Sequence, residues 1–141
     1  MFLLISLPAQ AQSYVSPAWR HFTTADGLAD NDVRAIAQDR EGALWFGTYS
    51  GGVSRLKNGL WDTFTIDDGL ASVQVETIYE DSEGALWFGT YGGGVNRFKD
   101  GVWETFTVAD GLGDDTVNAI TQDSEGALWF GLQGGGYQPL L

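Results

Sequence analysis

Asp39, Asp81 and Asp123 recur 42 residues apart, each three positions ahead of a glycine: Gly42, Gly84 and Gly126. Carboxylates at a fixed interval could act as general acids, bases or metal ligands, but this setting points to a turn. Asp accepts turn amides, and Gly supplies the positive φ that closes a type I turn. A carboxylate held by backbone amides is not free for proton transfer. The acidic cluster Asp110-Gly-Leu-Gly-Asp114-Asp115 offers oxygens to calcium, yet it lacks the alternating ligand spacing and terminal Glu of an EF-hand loop. His21, the single histidine, has no Ser, Cys or metal-ligand pattern around it and reads as an exposed strand residue. The triplets at Gly92 to Gly94 and Gly134 to Gly136 precede neither Lys-Ser/Thr nor a helix, so they do not form a phosphate loop. No catalytic residue, metal or cofactor is expected.

A binding surface is the better expectation. The loops at residues 30–32, 72–74 and 114–116, and the turns at Tyr49, Tyr91 and Gln133, should share one end of the molecule. Asn31, Asp32, Gln74, Thr116 and Gln133 offer donors and acceptors there, and Tyr49 and Tyr91 offer aromatic faces, a combination that suits sugars. The bland alternative is a solvated rim.

These groups sit on a repeat. Trp45, Trp87 and Trp129 keep the 42-residue interval, as do Trp19, Trp61 and Trp103, and Phe22, Phe64 and Phe106, with no insertion or deletion. Ala43-Leu-Trp-Phe-Gly-Thr-Tyr49 returns unchanged at residues 85–91, and its first five residues return at 127–131. A period of this length marks an array of supersecondary units. Within one period four strands are expected, at residues 33–38, 43–48, 53–57 and 60–65. They are separated by the Asp39 turn, a glycine-rich turn at Ser50-Gly-Gly52 and the Asn58-Gly59 hairpin signal. Glycine density, aromatic and β-branched enrichment and the lack of a 3.6-residue period exclude helices.

Strand parity puts Trp45 on one face and Leu44 and Phe46 on the other, so both faces need cover. The fold class is therefore all-β, a β-propeller-type array of about three four-stranded antiparallel blades with the repeated Trp filling between them. Propeller repeats are expected over residues 19–141, in units near 19–60, 61–102 and 103–141. Residues 19–23 match the fourth strand of a unit, and the last unit stops in its third strand. The first segment could then complete the last blade. Three blades are fewer than the four to eight that close a ring. Further blades of a longer chain, or other copies of this one, are the implied partners.

Composition narrows the class. The chain has 141 residues, 43% hydrophobic, with no cysteine, which excludes disulfides and thiolate sites. A net charge of −12 argues against nucleic acid and anionic lipid. Phe2-Leu-Leu-Ile-Ser-Leu7 followed by Ala9-Gln10-Ala11 reads as the remnant of a signal peptide over residues 1–12, too short to span a bilayer. It implies a periplasmic or secreted product; an apolar strand is the alternative. The usual positive leader is missing, which leaves room for a start codon upstream of Met1.

The stretch Asn31-Asp-Val-Arg-Ala-Ile-Ala-Gln-Asp-Arg-Glu-Gly-Ala-Leu-Trp-Phe-Gly-Thr-Tyr-Ser-Gly-Gly-Val-Ser-Arg-Leu56 closely resembles the two-component regulator propeller repeat. Its marks are Ile-x-x-Asp before a glycine turn, Leu-Trp-apolar-Gly-Thr, and Gly-apolar-x-Arg. The Asp turns also resemble the structural Asp-boxes of sialidase propellers. The resemblance implies a periplasmic sensor propeller that feeds a membrane helix and a histidine kinase, with carbohydrate as the ligand class. The 141 residues hold no immunoglobulin-like connector, membrane span or kinase motif, so signalling is implied for a parent architecture. The alternative is a free-standing binding or adhesion module that closes its ring by homo-oligomerisation. A propeller enzyme comes third, because a single His supplies no His/Glu constellation.

Overall fold

The computed structural model describes residues 18–141; the signal-peptide expectation for residues 1–12 lies outside them. Among the described residues, strands form three antiparallel sheets, each in chain order. The first contains β1 (Val33–Gln38), β2 (Leu44–Thr48), β3 (Val53–Lys57) and β4 (Leu60–Phe64). The second contains β5 (Val75–Glu80), β6 (Leu86–Thr90), β7 (Val95–Lys99) and β8 (Val102–Phe106). The third has three strands, β9 (Val117–Gln122), β10 (Leu128–Leu132) and β11 (Gly136–Leu140). β1 packs beside β5, and β5 beside β9, so the first strands of successive sheets line a common axis.

Local chemistry sets these bounds. Asn58 and Gly59 have φ of 53° and 77°, and Asp100 and Gly101 have 52° and 79°, the paired left-handed residues of a two-residue hairpin. The connections between sheets are more ordered than their polar sequence implies. Thr65 and Thr107 cap one-turn 3-10 helices, Ile66–Asp68 and Val108–Asp110, and the Asp68 and Asp110 carboxylates accept the cap amides at 2.8 and 2.9 Å. Thr23 and Asp26 make the same bond at 2.8 Å ahead of the first sheet.

The sheets stack face to face. Trp45 is 1% exposed and meets Phe64 of its own sheet at 5.6 Å and Phe88 and Phe98 of the next at 5.7 and 5.6 Å. Trp87 repeats this with Phe106 at 5.8 Å and Phe130 at 5.7 Å. Gly89 makes the close approach possible, since a Cβ there would lie 2.5 Å from the Val117 carbonyl oxygen of the third sheet.

Burial along the tryptophan strand reports each sheet's position in the stack. All five residues of β6 are buried. In β2 the side with Trp45 and Gly47 is buried and the side with Leu44 and Phe46 is half-buried; in β10 Leu128, Phe130 and Leu132 are buried and Trp129 is half-buried. The expectation of cover on both faces thus holds in full for the middle sheet. The expectation that residues 19–23 form a strand does not hold: they carry no ladder, and Trp19 is 92% exposed. An isolated edge has no partner for its amides, and β11, the edge it would match, lies at the other end of the array.

Trp87→Ala should lower the unfolding free energy by about 3–5 kcal/mol, the range for emptying a large aromatic site. Urea titration followed by circular dichroism measures it; a change within 1 kcal/mol would contradict the interblade role.

Candidate functional site

The Asp turns are fully engaged. Asp39 Oδ1 accepts the amides of Glu41 and Ala43 at 3.0 and 2.9 Å, and Oδ2 accepts the Trp45 indole N–H at 2.8 Å. Asp81 and Asp123 repeat the pattern, with indole bonds of 2.7 Å from Trp87 and Trp129. Gly42, Gly84 and Gly126 close the turns at φ of 87°, 83° and 91°. The sequence places the amide acceptors but does not reveal the indole bond, whose signal is the six-residue step from Asp to Trp. The Trp129 indole, followed by the amides of Ala127, Glu125 and Gly126, holds the Asp123 carboxyl below the usual 3.8. Such a carboxylate is an anchor, not a base.

The acidic cluster resolves into separate turns. Asp110 accepts from Thr107 N, Asp114 from Thr116 N and Asp115 from Val108 N. Among the described residues no group of three or more His, Asp or Glu side chains converges as metal ligands. His21 is exposed.

The rim candidates assemble at one end of each sheet because the loop before the first strand is pinned to the turn after the second. Tyr49 N donates to Asp32 O at 2.9 Å, Tyr91 N to Gln74 O at 3.0 Å and Gln133 N to Thr116 O at 3.0 Å. On the first sheet Asp32 pairs with Arg34 at 3.0 Å, and the Arg34 guanidinium lies 4.7 Å from the Tyr49 ring centre. Donating to the Asp32 carboxylate raises the pKa of Arg34. Beneath them Asp30 takes the Ser50 hydroxyl at 2.7 Å and the Ser50 amide at 2.9 Å; the hydroxyl bond leads in lowering its pKa. On the second sheet Gln74 Nε2 donates to Glu76 at 2.8 Å beside Tyr91. Tyr49 and Tyr91 are 45% and 50% exposed, open enough to stack on a ligand.

Two candidates have structural duties instead. Asn31 Oδ1 accepts Thr24 N at 2.9 Å, and buried Thr116 accepts Gly92 N of the preceding sheet at 3.0 Å. Arg34 and Glu76 were missing from the sequence expectation. Their signal is the register, since both lie two residues beyond the rim loop and their 42-residue equivalent is Asn118.

A second concavity, of about 360 Å³, lies between the first two sheets at the opposite end. Arg40 bonds Glu80 at 3.0 Å across it and Lys57 bonds Glu41 at 2.7 Å beside it, while Glu83, Lys99 and Asp100 also line it.

Antiparallel blades of four, four and three strands stacked around an axis, with structural carboxylates below and polar-aromatic loops above, define a β-propeller array. The chain belongs to the two component regulator propeller family: the family model matches residues 27–50, 69–92 and 111–134, together just over half of the chain. A stretch of 50 residues is 46% identical to histidine kinase P4 of Formosa agariphila, covering 36% of this chain and 3% of that protein. The extracellular domain of a hybrid two component system from B. thetaiotaomicron superposes with a TM-score of 0.77 at 27% identity, covering 90% of this chain and 19% of that one. Virginiamycin B lyase from Staphylococcus aureus, at 18% identity and a TM-score of 0.56 over 79% of this chain and 42% of its own, shares the fold alone. The chain thus spans a small fraction of the sensor proteins it matches.

A carboxyl whose folded pKa is depressed stabilises the fold above its ordinary value, and that contribution is lost as pH falls through the folded value. Asp123 therefore stabilises above 3.8 and loses its hold below it. Asp123→Asn should be less stable than the parent at neutral pH and lose less on acidification. Tryptophan fluorescence during acid titration measures this, and parallel pH profiles would overturn it.

Proposed function

We propose that this chain is a non-catalytic segment of an exported sensor. In this reading it binds a carbohydrate at the rim and passes occupancy to a two-component signalling module. Family membership and the likeness to extracellular sensor domains support the sensor role. The observation that carries ligand binding is the contrast between a constant frame and a changing rim. Asp32, Arg34 and Tyr49 on the first blade become Gln74, Glu76 and Tyr91 on the second and Thr116, Asn118 and Gln133 on the third. The turn Asp and the buried Trp stay the same throughout. Exposed tyrosines beside amide and carboxylate groups suit the apolar face and hydroxyl edge of a sugar.

Titration of an oligosaccharide panel by calorimetry tests the reading. Binding is expected, with Tyr91→Ala weakening it about tenfold, or 1.4 kcal/mol, and the sugar recovered unchanged by chromatography. Absence of binding across the panel, or affinity indifferent to both tyrosines, would sink the ligand class; cleaved sugar would sink the non-catalytic assignment.

Export is tested separately. Expressed in a Gram-negative host behind its natural start codon, the product should be recovered from the periplasm with its apolar leader removed. Intact Met1 in the cytoplasm would refute it.

A further inference from the structure

Each blade carries a bulge at the rim. Between β1 and β2, Val33 pairs with Thr48 and Ala35 with Gly47, which leaves Arg34 as the extra residue. Between β5 and β6, Val75 pairs with Thr90 and Thr77 with Gly89, which leaves Glu76. Between β9 and β10, Val117 pairs with Leu132 and Ala119 with Gly131, which leaves Asn118. A bulge takes one side chain out of the strand's alternation and re-aims it. The fold therefore singles out one side chain per blade beside the turn that carries Tyr49, Tyr91 or Gln133, and the three are a cation, an anion and an amide.

The first blade shows what such a side chain does there. The Arg34 guanidinium lies 4.7 Å from the Tyr49 ring centre and donates to both oxygens of Asp32, at 3.0 and 3.3 Å. A cation is thus held by an aromatic face and a carboxylate together. The second blade keeps the tyrosine but exchanges the cation for a carboxylate. Tyr91 is 50% exposed, and among the described residues no Arg or Lys lies over its ring. Among the same residues Glu76 belongs to no ion pair. Its Oε1 accepts the Gln74 side-chain amide at 2.8 Å, which steadies the carboxylate and leaves Oε2 for a ligand.

We propose that an ammonium group of the bound saccharide sits on Tyr91 and Glu76 as the Arg34 guanidinium sits on Tyr49 and Asp32, so that the ligand is a basic amino sugar. The assignment rests on the rim being the carbohydrate site. Local charge agrees with it. The Arg34 pKa is raised first by donation to Asp32 and then by the charges of Asp32 and Glu76, which puts Glu76 near enough to act on it through space. Two carboxylates then share one guanidinium, and the junction of the first two blades keeps a negative charge in excess. That excess repels uronate and sulfated sugars and attracts an amine, in the same sense as the net charge of −12.

Three disaccharides of one linkage test this by calorimetry: β-1,4-linked glucosamine, its N-acetylated form and cellobiose, which differ only in carrying an amine, an acetamide or a hydroxyl. The amine form should bind about tenfold tighter than the other two, the worth of one hydrogen bond between charged groups. Glu76→Gln keeps an acceptor for Gln74; it should abolish that advantage and leave cellobiose affinity unchanged. Glu125→Gln removes the same charge from an exposed turn at the opposite end of the third blade and should leave the advantage intact. Equal losses from the two substitutions would show general attraction of cations to an acidic protein and would overturn the proposal. Amine and hydroxyl forms bound alike by the parent overturn it too, while leaving the rim a carbohydrate site. Binding of none of the three also overturns it, and the wider oligosaccharide panel then decides the rim.

Discussion

Each Asp turn holds an indole N–H and two backbone amides on a single carboxylate, and thereby fixes the pose of the tryptophan on which the next sheet rests. An indole driven between two sheets must keep a hydrogen-bond partner, because an unpaired donor there costs more than its burial returns per bond. Asp81 meets that need from within the hairpin that carries Trp87, so turn and interblade core form together. Among the described residues no buried side-chain nitrogen or oxygen lacks a partner. The device is local in sequence yet governs contacts a full repeat away.

That constraint also divides labour between the two ends of a blade. The end with the Asp turns is committed to geometry, and Arg40–Glu80 and Lys57–Glu41 ion pairs lie beside it. The opposite end is held by backbone bonds, Tyr49 N to Asp32 O and its equivalents, so its side chains can change without loosening the frame. Variation between Asp32 and Gln74 thus proceeds over a fixed support, an arrangement suited to recognition.

Much of this was legible in the repeat. Strand bounds, hairpin turns and the interblade place of Trp45 and Trp87 followed from spacing and parity, which depend on local rules and on one fixed interval. What escaped depends on three-dimensional neighbours. The indole bond to Asp39 needs the twist that brings positions six apart together. Thr116 resembled a rim residue but is drawn to Gly92 N of the preceding blade, a contact that no single unit contains. Residues 19–23 have the composition of a strand without the companion that would make them one. Arg34 and Glu76 lie within β1 and β5, where alternation signals packing and nothing in the pattern marks what a side chain presents at the rim.

The latch between neighbouring blades has an asymmetry of its own. Its donor is a main-chain amide, Arg40 N at one junction and Ser82 N at the next, while its acceptor is a side chain, Glu80 or Gln122. A main-chain donor does not depend on the side chain that accompanies it, so this one bond survives substitution unless proline removes the amide, while at the first junction the Arg40 guanidinium adds bonds of its own to Glu80 and to Asp81 O. The accepting side has no such freedom, since it must keep an oxygen at the same reach. The bond is therefore directional: any residue but proline can supply its donor, while the neighbouring blade must present a side-chain oxygen at that reach.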